Sequence, residues 1–122
     1  MKPRSCKSKG KLLQNLVREK LLENTTLHED DLKSAQMGES REDLKLSTAA
    51  LKIYSFGIEC KNLAKIAVYK FYQQAQSHTE KIQAKHPTLK IMPLVIVKQN
   101  RSKPLVILDL DDFLALYHDR KD

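Results

Sequence analysis

The segment Phe56-Gly57-Ile58-Glu59-Cys60-Lys61-Asn62 reads as an apolar strand with a carboxylate and an ammonium two residues apart at its carboxyl end. Side chains two apart on a strand share a face. Glu59 and Lys61 therefore occupy one microenvironment, while Ile58 and Cys60 turn the other way into the protein. A carboxylate beside an ammonium suits metal-assisted phosphodiester chemistry: one group holds a hard cation, the other handles the attacking water or the charge on phosphorus. The spacing by itself is common, since an acid precedes a lysine by two at Asp31/Lys33, Asp43/Lys45, Glu59/Lys61 and Asp119/Lys121. Only the Glu59/Lys61 pair closes an apolar strand and opens into an amphipathic helix.

Downstream, Asn62 is placed to cap a helix whose apolar face is Leu63, Ile66, Ala67, Phe71 and Ala75, running to about Thr79 or a little beyond. Gln74 and His78 lie along the edge of that face. Gln74 reads as an amide satisfied by backbone and His78 as a surface residue. After the His86-Pro87 break, Ile91 to Lys98 is a nearly continuous apolar run, the pattern of a central strand buried on both sides. Gln99-Asn100-Arg101-Ser102-Lys103 makes a basic turn, and Pro104 to Leu110 returns as a neighbouring strand. Asp111 or Asp112 then caps a short helix from Phe113 to about His118.

Upstream, Lys52 to Cys60 supplies the strand itself, preceded by a small-residue turn, Ser47-Thr48-Ala49-Ala50. Asp43 to Ser47 alternates polar and apolar as a half-buried strand does. Residues 24 to 42 form a long polar connection, with room for one helical turn at Asp30 to Ala35. Leu12, Leu13, Leu16, Val17 and Leu21 fall at helical spacing, so a helix is predicted from Lys11 to about Glu23 with Glu19 near the inward edge of its apolar stripe. Residues 1 to 10 read as a flexible basic arm, and residues 11 to 122 as a single domain.

A chain of 122 residues is long enough for one core and too short for two. The net charge of +7 and pI of about 9.4 favour an anionic partner, nucleic acid before an acidic membrane surface. Lys7, Lys9 and Lys11 offer sequence-independent footing on phosphates. Two cysteines, Cys6 in a polar tail and Cys60 in a buried strand, make a disulfide an unattractive reading and favour a reducing, cytoplasmic setting. With four scattered histidines they assemble no zinc site. No segment is long and apolar enough to span a bilayer, and no signal-peptide run follows the basic start.

The order of these segments resembles the PD-(D/E)XK nuclease superfamily: a helix with Glu19, then Gly38 to Ser47, then Ile58-Glu59-Cys60-Lys61-Asn62, a helix carrying Gln73-Gln74-Ala75, and Val97-Lys98-Gln99-Asn100-Arg101. Its small phage members, described as endonucleases or Holliday junction resolvases, are the nearest likeness, which covers roughly residues 4 to 114. No proline precedes Asp43, a departure that members of the superfamily often share. The resemblance implies a restriction-endonuclease-like α/β fold, an αβββαβ core with a mixed central sheet flanked by helices. It implies a Mg²⁺- or Mn²⁺-dependent DNA endonuclease in which Asp43 and Glu59, with the Cys60 carbonyl, hold the metal. Lys61 would position water and steady phosphate charge, and Glu19 would add a carboxylate. It moves Lys98 and Arg101, and Gln74, toward contacts with DNA.

Cleavage of a branched junction, nicking and homing-type cutting of duplex all remain open at this point. If phage-encoded, the protein would work in the host cytoplasm. A junction with two symmetric strands would favour a homodimer. The competing reading is a catalytically inactive nucleic-acid-binding module on the same fold.

Overall fold

The computed structural model describes residues 6–34 and 44–121. Helix α1 (Cys6–Glu23) leads through a 3-10 turn at Glu29–Asp31 into strands β1 (Leu32–Ser34) and β2 (Leu44–Leu46). Helix α2 (Thr48–Ile53), strand β3 (Phe56–Asn62), helix α3 (Val68–Lys85), strands β4 (Met92–Lys98) and β5 (Leu105–Ile107) and helix α4 (Leu110–Lys121) follow. This is a mixed α/β fold. β3 and β4 run parallel, β5 pairs antiparallel to β4, and β1 and β2 form a separate antiparallel pair.

The core divides along the alternation of β3. Ile58 and Cys60 pack with Leu94 and Ile96 against Leu13 and Val17 of α1 and Leu44 of β2. On the opposite face Val95 and Val97 pack against Phe71 and Ala75 of α3. Cys60 is a free, buried thiol. Two ties set the course of α1. The Asn62 amide donates to the Lys9 carbonyl at 3.1 Å, and the Tyr54 hydroxyl donates to the Leu21 carbonyl at 2.8 Å. α1 therefore runs antiparallel to β3, with its start at the carboxyl end of the strand. Asn62 is buried, so Asn62→Ala should lower stability by about 1–2 kcal/mol, the cost of losing its buried hydrogen bond to the Lys9 carbonyl, as read by urea denaturation.

Several local expectations are corrected. The predicted small-residue turn at 47–50 is the start of α2, because the Ser47 hydroxyl accepts from the Ala50 amide at 3.1 Å and caps the helix. Lys52 and Ile53 are helical in consequence, and the strand starts only at Phe56. Asn62 ends β3 instead of capping a helix, and α3 begins six residues later without a side-chain cap. α1 begins at Cys6, so it takes in part of the stretch expected as a flexible arm. The connection at 24–42 contains β1, and α4 begins at Leu110, with the Asp109 carboxylate accepting from the Asp112 amide at 3.1 Å.

Asp31 locks the corner where β1, β2 and α2 meet. Its carboxylate accepts from the Ser47 hydroxyl at 2.7 Å and from the His28 amide at 2.9 Å. The Ser47 bond, and then the His28 amide, hold this carboxyl below its ordinary range. The unfolded chain therefore binds the proton first as pH falls. The contribution is complete above the ordinary carboxylate value and is lost as pH drops through the lower folded one. Asp31→Asn should flatten that part of the acid limb of stability against pH, measured by urea melts at stepped pH.

Candidate active site

Glu59 and Lys61 lie on the α3 face of β3, in register with Val95 and Val97 of β4. α3 turns Phe71, Gln74, Ala75, His78 and Thr79 toward the sheet, the i, i+3, i+4, i+7, i+8 stripe of a packed helix. At one end of this contact Gly57 meets Thr79 so closely that a Cβ on residue 57 would lie 2.2 Å from the Thr79 Oγ1. At the other end the Lys61 Nζ stands 5.2 Å from the centroid of the Phe71 ring. α3 thus runs antiparallel along β3, and the small, fully buried Ala75 falls opposite Glu59, flanked in sequence by Gln74 and three residues from His78.

The Glu59 Oε1 is 3.9 Å from the Lys61 Nζ, with the carboxylate side chain 5% and the lysine side chain 13% exposed. Removing one member of a buried pair leaves the other desolvated, so such pairs persist where both charges are used or both are well satisfied. The Gln74 Oε1 is buried and accepts no hydrogen bond from any described residue. That differs from the expectation of an amide satisfied by backbone. His78 is half-buried, contrary to its reading as a surface residue.

The carboxyl ends of β3 and β4 gather the basic residues predicted from sequence. Asn62 and Lys98 are in register, and the Leu63 amide donates to the Lys98 carbonyl at 3.1 Å. The Gln99 amide donates to the Ala64 carbonyl at 2.9 Å. The turn beyond, closed by the Ser102 amide on the Gln99 carbonyl, holds exposed Arg101 at φ 60°. That left-handed conformation disfavours a residue with a Cβ by about 1–2 kcal/mol. Lys9, at the start of α1, is tied to this same edge through Asn62, and exposed Lys11 follows on the next part of the turn. Ligands of open α/β sheets bind at this edge, beyond the carboxyl ends of the strands.

Glu19 is not brought to this place. It is exposed, outside the buried stripe of Leu13, Gln14 and Val17, and sits near Leu21, toward the amino-terminal end of β3. Gln14 of α1 is a buried amide at 3% exposure, next to Leu13, which packs on the Ile58 and Cys60 face of β3, opposite the face of Glu59. Its signal in the sequence is its place one residue after Leu13 and three before Val17. Asp43 lies outside the described residues, while the adjacent Leu44 packs in the same cluster as Ile58 and Cys60. Lys7 is in α1. Among the described residues no group of three His, Cys, Asp or Glu side chains could hold a metal, and no helix is long and apolar enough to cross a membrane.

The chain matches no family model, no curated protein and no solved structure.

Proposed function

We propose that the protein is a metal-dependent DNA endonuclease of PD-(D/E)XK type, built on a restriction-endonuclease-like core. The observation that carries this reading is the Glu59 and Lys61 pair, held side by side under α3 next to a basic strand edge. The donor set suits a hard cation: the Glu59 carboxylate and the buried Gln74 Oε1 are oxygens, with Asp43 the second carboxylate of the set. Mg²⁺ or Mn²⁺ held by Asp43, Glu59 and the Cys60 carbonyl would supply a nucleophilic water and neutralise charge on phosphorus.

The chain's own residues do the remaining work. Lys61, the more exposed member of the pair, orients the attacking water and steadies charge on the phosphoryl oxygens. Lys98, Arg101, Lys9, Lys11 and Lys7 anchor flanking phosphates, a sequence-independent contribution that weakens as salt rises. Glu19, exposed toward the other end of β3, has no part in this reading. The burial of Glu59 favours the second reading, a binding module in which Lys61 alone meets phosphate and Glu59 balances its charge.

Incubating wild-type protein with labelled linear duplex, single-stranded, nicked and four-way-junction DNA, in Mg²⁺ or Mn²⁺ and then in EDTA, separates the two. Endonuclease action predicts metal-dependent cuts with 5′-phosphate ends, and the preferred substrate distinguishes junction resolution from nicking or duplex cutting. Retention of DNA without cutting in either metal supports the binding module.

A further inference from the structure

We infer that a cavity between the start of α3 and the junction of β5 with α4 takes one unpaired nucleobase of the bound DNA, stacked on the Tyr69 ring. The inference rests on the nuclease reading and narrows its substrate to DNA with an unpaired nucleotide near the cut. The cavity measures about 290 Å³ and is walled by Tyr69 and Tyr72 of α3 with Ile107, Leu108 and Asp109. That is the small end of ligand pockets, which run from ~300 to 1,000 Å³, so it suits a single planar ring system. Tyr69 is 83% exposed, and its ring stands open at the wall of the cavity. Such a ring stacks on the face of any base, whatever the sequence.

The polar groups of the cavity match a base and not a phosphate. The Asp109 carboxylate is an acceptor at the wall, and every base carries an N–H donor on its Watson–Crick edge. In duplex that donor is taken by the partner base, so only an unpaired nucleotide offers it. Burial, and then the Asp109 and Asp112 carboxylates, hold the Tyr72 phenol above its ordinary range, so it stays protonated and donates to a ring nitrogen or carbonyl. The same carboxylates repel the DNA backbone, which leaves the cavity to the base. Its position fits the proposed cut. Glu59, Val95 and Ile107 lie in one row across the sheet, and Val95 and Ile107 both pack toward α3. The cavity floor is therefore two strands from Glu59 on the same face, about 10 Å. β5 enters it from the basic turn with exposed Arg101 and Lys103, which takes the phosphate of the extruded nucleotide.

The chain contains no tryptophan, so Tyr69→Trp places a single fluorescent reporter at the stack. In EDTA, which prevents cutting, its emission should be quenched by a single-stranded oligonucleotide and unchanged by blunt duplex of the same sequence, while anisotropy of the labelled DNA records binding of each. Tyr69→Ala should bind the single strand about 5- to 150-fold more weakly and the duplex as wild type does. Its circular dichroism and melting midpoint should not change, because the side chain it removes is exposed. Single strand bound without quenching, or bound by Tyr69→Ala as tightly as by wild type, would overturn the pocket and leave the nuclease reading standing. Retention of neither DNA would overturn the nuclease reading and the pocket with it.

Discussion

Lys61→Met should lower the rate of metal-dependent DNA cleavage by about 100-fold or more, the usual loss when a group that handles the proton or steadies the transition-state charge is removed. Methionine keeps an apolar stem where Lys61 passes the Phe71 ring at 5.2 Å, so the packing survives while the ammonium is lost. DNA affinity should fall much less, because the phosphate contacts proposed for the other lysines and Arg101 would remain. A single-turnover assay at saturating protein, with a binding isotherm beside it, separates the two effects. The stability cost should reach about 3 kcal/mol, since Glu59 keeps a buried carboxylate after its ammonium is gone. The assay is therefore run well below the melting midpoint of the variant. Cleavage by Lys61→Met within tenfold of wild type would remove Lys61 from the chemistry and leave it as the counter-charge of Glu59.

Gly57→Val should be the most damaging single substitution in the sheet, costing about 3 kcal/mol or more. The added Cβ would lie 2.2 Å from the Thr79 Oγ1 and 3.1 Å from the Thr79 Cα, which is backbone of α3. Rotating Thr79 brings its methyl into the same space, because the residue is β-branched. Relief therefore requires α3 to move off β3, along with Phe71 and Ala75, which cover Glu59 and Lys61. Gly57→Ala should cost less, about 1–3 kcal/mol, and pairing it with Thr79→Ala should recover part of that loss. Urea melts of the three variants check the order. A Gly57→Ala protein as stable as wild type would mean that α3 does not press on β3 as described.

What could be read from the sequence were the elements whose pattern is carried by many residues. The apolar run of β4 and the alternation of β3 mark the sheet, and the stripe containing Phe71 and Ala75 marks α3. The same alternation places Glu59 with Lys61. What escaped depends on single contacts far apart in the chain. β1 is three residues whose strand geometry comes from pairing Leu32 with Leu46, and a polar stretch carries no period to announce it. Asn62 has the composition of a cap, but its amide is drawn to Lys9, fifty-three positions away. Ser47 did carry a local signal, a hydroxyl ahead of a helix-forming Ala-Ala pair, which the small-residue turn reading set aside. Gln14 and Glu19 show the limit most clearly. Both sit on α1, where Gln14 is buried and Glu19 exposed, and only the ties at Lys9 and Leu21 place Glu19 near the far end of the strand.

Whether Glu59 holds a metal or only balances Lys61 is tested most directly by titrating Mn²⁺ into wild type, Glu59→Gln and Asp43→Asn, with bound metal followed by electron paramagnetic resonance. Metal-assisted cleavage predicts a site in wild type that weakens at least tenfold, about 1.4 kcal/mol, in both variants while each remains folded. Unchanged Mn²⁺ binding in Glu59→Gln, with the loss confined to its urea midpoint, would contradict it and make the pair a structural salt bridge at the end of β3.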